Sequence, residues 1–221
     1  MSIHKCLVKR TPRLGEAWID MPLDDKILMM SLISEGSKRG WLGITKLQKL
    51  VFLTESCLSE NNERAFSYEF FMYDQGPISR EMYEDLESLI DNGLVIEDEE
   101  GIRLSKSGKD ITDQFQDTVP KNISRTIKHV IDEYATLKTS TLVSEVHKMK
   151  VRLPNGIVAR IEDLPRYCVV LPNSSATKLY RLGKEYLETF RVLSDQRLMD
   201  TLNKRREKGS SCSEYKPLVS S

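Results

Sequence analysis

The stretch that decides the fold runs from Gly43 to Glu60 and reads GITKLQKLVFLTESCLSE. Its apolar residues recur every three or four positions, which places them on one face of a helix and predicts that this face meets the core. Thr45 is the predicted N-cap, because its hydroxyl can accept a hydrogen bond from a free backbone N–H group. The predicted core face consists of Leu47, Leu50, Val51, Leu53, Thr54 and Leu58.

Further helices are predicted on both sides of this stretch. Upstream, apolar residues within 23–38 predict a first helix that ends near Gly36. Downstream, the aromatic run FSYEFFMY at 66–73 predicts a strand, and Asp74-Gln75-Gly76-Pro77 predicts a turn. Ser79 is then the predicted N-cap of a helix that continues to about Asn92, with Gly93 in the C′ position.

A hairpin follows that helix. Residues 94–96 and 102–104 predict two short strands on either side of an acidic turn, and Ser105 begins a helix that ends near Phe115. Three helices followed by a two-stranded hairpin is the order of a winged helix. The predicted fold class is therefore mainly α with small β, a winged-helix-like unit followed by a helical C-terminal region.

Proline, glycine and serine divide the chain into segments. Residues 175–208 predict a long helical stretch, broken near Ser194-Asp195, where Ser194 could cap a new helix. The predicted segments are a flexible arm at 1–21, the winged-helix-like unit at 22–118, a helical region at 119–208 with an irregular or strand-like connector at 151–172, and a disordered tail at 209–221.

Composition excludes several classes of protein. The 33 basic and 33 acidic residues of the 221-residue chain cancel, which argues against a protein dominated by affinity for nucleic acid or membrane. No apolar run is long enough to span a bilayer. The four cysteines lack metal-ligand or redox spacing and predict free thiols in a reducing cytoplasm; they are Cys6, Cys57, Cys168 and Cys212.

The sequence contains no recognisable catalytic motif. His4, His129 and His147 each stand alone, without the partners that a metal site requires. No phosphate-binding glycine motif or nucleophile elbow occurs, and the carboxylates at 97–100 belong to a predicted hairpin tip. The sequence predicts no catalytic residue, no metal site and no cofactor.

Two neighbouring motifs resemble a known family. The helix Thr45-Lys46-Leu47-Gln48-Lys49-Leu50-Val51-Phe52, an aromatic strand, and then Tyr73-Asp74-Gln75-Gly76-Pro77 resemble the Panacea, or SocA-like, antitoxin domain over about residues 24–110. That family typically has a tyrosine near the start of the next helix, here Tyr83. In that family an aromatic residue usually follows the Lys-Leu pair of the helix; here the aromatic residue is Phe52, one position further along the chain. The pattern of the hairpin that follows also occurs in other winged-helix regulators. The resemblance implies an antitoxin.

A second resemblance lies near the C-terminus. Residues 168–172 (CVVLP) and 186–199 (YLETFRVLSDQRLM) resemble the strand and helix pair of the toxin-binding tail of Phd/YefM-type antitoxins. An amphipathic helix interrupted by aspartate could produce the same pattern.

The charge of the predicted recognition helix bears on DNA binding. Residues 79–92 contain one basic residue, Arg80, and five acidic ones, a net charge of −4, and the hairpin adds Glu97, Asp98, Glu99 and Glu100. Duplex DNA would repel this surface, because its affinity depends on Lys and Arg at the phosphates. A DNA-binding role would have to use residues such as Lys46, Lys49 and Arg80. If the protein does not bind DNA, Lys46 and Lys49 are expected on solvated helix faces.

Three functions remain open from the sequence. The first is a non-enzymatic interaction module, an antitoxin or antitoxin-like regulator that binds a toxin-like protein. Its apolar stripe would be buried on the partner or on the body of the protein, and consists of Tyr186, Leu187, Phe190, Leu193, Leu198 and Leu202. The alternative is a winged-helix transcriptional regulator, dimeric through the C-terminal helix. The third is an adaptor subunit of a larger system.

Overall fold

The computed structural model of the chain describes residues 23–172 and 178–210. The predicted arm, and the predicted tail from 211 onward, lie outside these residues. The described part is mainly helical with small sheets, which confirms the predicted class. The helices are α1 (Leu23–Ser37), α2 (Ile44–Ser59), α3 (Arg80–Asp91), α4 (Lys106–Phe115), α5 (Lys121–Tyr134), α6 (Thr139–Lys148), α7 (Lys184–Ser194) and α8 (Gln196–Ser210).

Helix α2 lies in the centre of the molecule, packed between α5, α6 and the chain that follows it. It is buried on all sides rather than on one face, and even the polar side chains of Gln48 and Glu55 are buried. The predicted N-cap is wrong, because the helix begins two residues earlier, at Ile44, with Gly43 as its N-cap. Thr45 instead donates its hydroxyl to Gln75 at 3.2 Å, which ties α2 to the turn after the aromatic strand.

The strands are short. They are β1 (Glu63–Arg64), β2 (Phe70–Tyr73), β3 (Gly76–Ile78), β4 (Val95–Asp98), β5 (Gly101–Leu104), β6 (Lys150–Arg152), β7 (Val158–Arg160), β8 (Val169–Leu171) and β9 (Lys178–Leu179). The central sheet has the order β3-β2-β8 and is antiparallel, with Phe71 opposite Ile78 and Phe70 opposite Leu171.

The aromatic strand and its turn differ from the sequence prediction. The strand begins at Phe70 rather than Phe66, and Gly76-Pro77 belongs to β3 instead of the turn. Gly76 has a φ of 87°, which glycine adopts without steric cost, so a two-residue connection reverses the chain. The connector at 151–172 is strand-like, since it contains a β6–β7 hairpin and the edge strand β8.

The segment around α3 follows the prediction closely. The Ser79 hydroxyl accepts a hydrogen bond from Met82 N–H, and Gly93 has the left-handed φ of 67° expected at C′. Strands β4 and β5 form the predicted hairpin, which the Ile102 N–H attaches to the carbonyl of Leu42 at 2.7 Å. The element order is the predicted one; assignment to the winged-helix fold and the division into domains stay predictions.

The C-terminal helical stretch is shorter than predicted. Strand β9 pairs in parallel with β1, and α7 begins only at Lys184. The predicted break at Ser194-Asp195 is confirmed, but the cap is Asp195, whose carboxylate accepts a hydrogen bond from Leu198 N–H at 3.0 Å. An aspartate at this position receives the first free N–H groups of α8, while Ser194 bonds back to Arg191.

Candidate protein-docking surface

The central sheet has one face in the core and one face toward solvent. Along β2, Phe70 and Met72 are buried, whereas Phe71 and Tyr73 point the other way and are half-buried. Phe70 packs edge-on against Phe52 of α2, with ring centroids 5.4 Å apart. The outer face of the sheet is therefore aromatic without being part of the core.

Arginine side chains lie on these outer rings and form a surface that we call the aromatic–arginine patch. The guanidinium carbon of Arg166 is 4.3 Å from the centre of the Tyr73 ring and 5.5 Å from that of Tyr167. Asp74 accepts a hydrogen bond from Arg166 at 2.9 Å and holds it there. Arg80, the first residue of α3, lies 5.4 Å from the centre of Phe71. The patch consists of Phe71, Tyr73, Arg80, Arg166 and Tyr167.

Tyr167 occupies an unusual backbone conformation. Its φ of 68° lies in the left-handed region, which costs a bulky residue on the order of 1 kcal/mol or more. Its N–H donates to the carbonyl of Met72 at 2.8 Å, and this bond holds the conformation. The result is an aromatic ring that remains 59% exposed to water, a placement that the stability of the fold does not require.

The composition of the patch suits protein recognition. Tyrosine and arginine carry much of the binding energy at protein interfaces, and tyrosine buries a large area at a small entropic cost. Here the stacked rings and Asp74 already order the guanidinium of Arg166. A partner would pay little to immobilise these side chains.

Helix α2 fixes the position of the patch through its polar residues. The Gln48 amide donates to the carbonyl of Ser79 and accepts from the Ser79 N–H, both at 3.0 Å. The Lys49 ammonium donates to the carbonyl of Pro77 at 2.8 Å. These three bonds, which we call the α2 clamp, hold β3 and the start of α3, and so place Arg80 beside Phe71. The clamp is the physical reason why the Lys-Leu-Gln-Lys and Gly-Pro motifs occur together.

The α2 clamp is enclosed by protein. Both Gln48 and Lys49 are fully buried, and burial lowers the pKa of Lys49 to about 7. A side-chain carbon at Gly76 would lie 3.2 Å from the ring of His147, so α6 covers this turn closely. The clamp is structural and does not face a bound molecule.

A buried ion pair supports the segment 65–69, which leads into β2 and the patch. Glu55 pairs with Arg64 at 2.5 Å and accepts hydrogen bonds from the N–H groups of Ala65 and Phe66. Arg64 also donates to the carbonyls of Tyr68 and Pro172. This carboxylate–guanidinium pair therefore serves backbone groups that would otherwise be buried without partners.

A second set of buried groups links α1 and α3 to the same segment, 65–69. Asp25 accepts hydrogen bonds from the backbone and hydroxyl of Ser67. Asp85 accepts from the Tyr68 hydroxyl at 2.8 Å and lies 3.5 Å from the Lys26 ammonium. Burial raises the pKa of Asp25 to about 7 and also raises that of Asp85.

Residues 47–151 match the family model of the antitoxin SocA-like Panacea domain. This chain carries a Panacea domain. The matched range includes most of α2, the clamp, α3 and the β4–β5 hairpin; it begins later than the predicted resemblance at about 24–110 and continues past its end. Neither the curated proteins nor the solved structures contain a significant match to the chain. The comparisons add no support for a Phd/YefM-type tail.

The solvent face of α3 in the Panacea domain is acidic. The sequence prediction that includes Asp85 in the charge of this surface is wrong, because Asp85 is 1% exposed and faces Lys26. The exposed charges are Arg80, Glu81, Glu84, Glu87 and Asp91, a net charge of −3. In the hairpin, Arg103 holds Asp98 with two hydrogen bonds at 2.5 and 2.7 Å. We call Glu84, Glu87 and Asp91 the α3 ridge.

The predicted DNA-contacting residues do not form one surface of the Panacea domain. Lys46 donates to the carbonyl of Ala135 at 3.0 Å, and Lys49 belongs to the clamp. Their expected place on solvated helix faces is wrong, because α5, α6 and β3 cover α2. Arg80 alone of the three is exposed, and it lies on Phe71.

The predicted partner-binding stripe is divided between the core and solvent. Phe190 is fully buried, edge-on against Phe115 with ring centroids 5.6 Å apart, and so is closed to a partner. Leu187 and Leu193 are half-buried against the core. Tyr186, Leu198 and Leu202 are 44%, 39% and 41% exposed, respectively.

Within the described residues, no cluster of side chains suits a metal ion, and no helix could cross a membrane. His129 lies beside Glu133 at 3.4 Å on the exposed face of α5. Cys57 and Cys168 are free thiols; the other two cysteines lie outside the described ranges.

Sequence reasoning missed most of the patch. Phe71 and Tyr73 belong to the recognised aromatic run, and their alternation with buried Phe70 and Met72 could have marked an outward face. Arg166 and Tyr167 come from a distant connector and carry no local signal of their position. Their approach to β2 follows from the pairing of β2 with β8.

Proposed function

We propose that this chain is a non-enzymatic, antitoxin-like protein that binds a toxin-like partner protein. The observation that carries the proposal is the Panacea domain at residues 47–151. The contact surface that we propose for the partner is the aromatic–arginine patch, since its two arginines and Tyr167 are exposed and stacking already orders the guanidinium groups. The transcriptional regulator and the adaptor subunit are not supported by a specific contact.

The buried ionisable groups support a non-enzymatic role. Glu55, Asp25 and Asp85 each bind a nearby backbone or side-chain group of the protein itself. A catalytic acid or base needs access to a substrate atom. These three groups instead hold the segment 65–69, which precedes β2.

The exposed residues of the predicted C-terminal stripe form a second proposed protein contact. Leu198 and Leu202 lie one helical turn apart and share a face of α8. Tyr186 of α7 stacks edge-on near Phe115, with centroids 6.4 Å apart, and keeps much of its ring in solvent.

Coexpression with the products of neighbouring genes tests the proposal. We expect the intact chain to restore growth to cells that express a toxic neighbour and to copurify with that protein. A variant with Arg166→Ala and Tyr167→Ala should lose both effects while it keeps its helical circular dichroism spectrum. The matched control is Arg160→Ala with Ile157→Ala, which removes an exposed arginine and an exposed apolar side chain from the β6–β7 segment.

The possible outcomes test the antitoxin-like function and the proposed contact surface separately. If the intact chain neither restores growth nor binds any toxic neighbour, the antitoxin-like function is refuted. If it does both and the patch variant behaves like the control, the function stands and the patch is the wrong surface.

A further inference from the structure

Helix α8 is exposed on nearly every side. Among residues 196–206, Met199 is half-buried and all others are exposed. A helix of this length is marginal in water when it lacks tertiary packing. Its Leu198 and Leu202 share one face and are about 40% exposed, so within residues 23–172 and 178–210 no element covers the apolar stripe of α8.

The charge of α8 is opposite to that of α3. Residues 196–206 contain four basic residues and one acidic residue, a net charge of +3, and the exposed residues of α3 have a net charge of −3. Both helices belong to the same chain, so every copy of the protein carries both surfaces. A pair of copies related by a twofold axis would use each surface twice.

The spacing of the charges also agrees. Glu84 and Asp91 of the α3 ridge are seven residues apart, as are Arg197 and Lys204 of α8. At a rise of 1.5 Å per residue, each pair spans about 10.5 Å along its helix axis. Two helices packed side by side can therefore match both charge pairs at once. Tyr83 and Ile90 are also seven residues apart and lie beside the ridge, where Tyr83 is exposed and Ile90 half-buried, so α3 has apolar surface next to its charges.

We infer that the α3 ridge binds helix α8 of a second copy of this chain, so that the protein forms a twofold homodimer. The contact combines the leucine stripe of α8 with the opposite charges of the two helices. It goes beyond the proposed function, because it needs no toxin and does not use the aromatic–arginine patch as defined.

Charge exchange tests the dimer directly. The ridge variant carries Glu84→Arg and Asp91→Arg, and the helix variant carries Arg197→Glu and Lys204→Glu. Sedimentation velocity of the full chain, measured over a range of concentrations, gives the dimer dissociation constant. We expect a dimer for the unmodified chain and an increase of at least about tenfold in that constant for each variant alone, because like charges then face each other.

Mixing the two variants provides the decisive measurement. In a mixed dimer, the positive ridge of one chain faces the negative α8 of the other, and the two unmodified surfaces also face each other. We therefore expect the mixture to dimerise at concentrations at which each variant alone, with its weakened association, remains mainly monomeric. The matched controls are Asp110→Arg with Asp113→Arg on α4, and Arg125→Glu with Lys128→Glu on α5, all at exposed positions.

Specific results would overturn the inference. An unmodified chain that remains monomeric at every concentration excludes the homodimer, including the case in which α8 folds onto its own α3. A dimer that the charge variants do not weaken, or variants that do not recover on mixing, excludes this pair of surfaces. None of these results bears on the aromatic–arginine patch, which the growth and copurification assays test separately.

Discussion

Replacing Gln48 with alanine removes two of the three hydrogen bonds of the α2 clamp. The Ser79 N–H then loses its acceptor in a position where Ser79 is fully buried. An unsatisfied buried donor costs about 1–3 kcal/mol, and loss of the bond to the Ser79 carbonyl adds about 1 kcal/mol. We expect a decrease of about 2–4 kcal/mol in the free energy of unfolding.

Urea denaturation followed by far-ultraviolet circular dichroism measures this loss. The midpoint should fall while the slope of the transition stays the same, since the surface exposed on unfolding hardly changes. The matched control is Gln75→Ala, which removes an exposed glutamine that bonds only across the surface to Thr45. The control should change stability by less than about 0.5 kcal/mol. If Gln48→Ala costs no more than Gln75→Ala, the α2 clamp does not stabilise the fold as described.

Three further predictions follow from buried residues. Phe190→Ala should reduce the free energy of unfolding by about 3–5 kcal/mol, because it empties a fully buried site against Phe115. The control Leu202→Ala, on the exposed face of α8, should change the free energy of unfolding by less than about 0.5 kcal/mol. Equal effects of the two substitutions in thermal denaturation would contradict the packing of α7. Because the pKa of Asp25 is raised from 3.8 to about 7, the folded protein binds the proton more tightly than the unfolded chain, so the Asp25 contribution to stability is present at acidic pH and is lost as the pH rises toward 7. The free energy of unfolding, measured by urea denaturation across this pH interval, should therefore decline more steeply for the unmodified chain than for Asp25→Asn. The difference in slope should be at most about 1.4 kcal/mol per pH unit, and parallel profiles would refute the assignment. Gly108→Ala should destabilise the protein by about 2 kcal/mol or more, because its new side-chain carbon would lie 2.1 Å from the backbone carbonyl oxygen of Leu94, whereas Ser107→Ala at the exposed neighbouring position should be close to neutral in the same urea assay.

Local chemistry made much of the fold predictable. Ser79 and Ser105 cap α3 and α4 as expected, and Gly93 ends α3 in a left-handed conformation. Each of these features depends on residues within one turn of the chain, so its signal is present in a short stretch of sequence. The β4–β5 hairpin was predicted for the same reason.

Burial of polar residues was not predictable in this way. Lys46 and Lys49 have the spacing of surface residues, but α5, α6 and β3 cover α2 and supply carbonyl oxygens for both ammonium groups. In the sequence, Asp85 cannot be distinguished from the exposed acidic residues of α3; in the structure it is buried against Tyr68 and Lys26. A charged residue has the same local signal whether its partner is water or a distant part of the protein.

The Lys-Leu-Gln-Lys helix and the Gly-Pro turn were enough, by sequence alone, to indicate the Panacea domain and its central helix. The tertiary structure decided what those residues do, because the hydrogen bonds of Gln48 and Lys49 reach backbone atoms about 30 positions away. It also decided the candidate docking surface, since Tyr73 and Arg166 are 93 positions apart and meet only where β8 pairs with β2. The caps and turns arise from neighbouring residues and are therefore written in the sequence, whereas a surface built from distant segments exists only after the chain has folded.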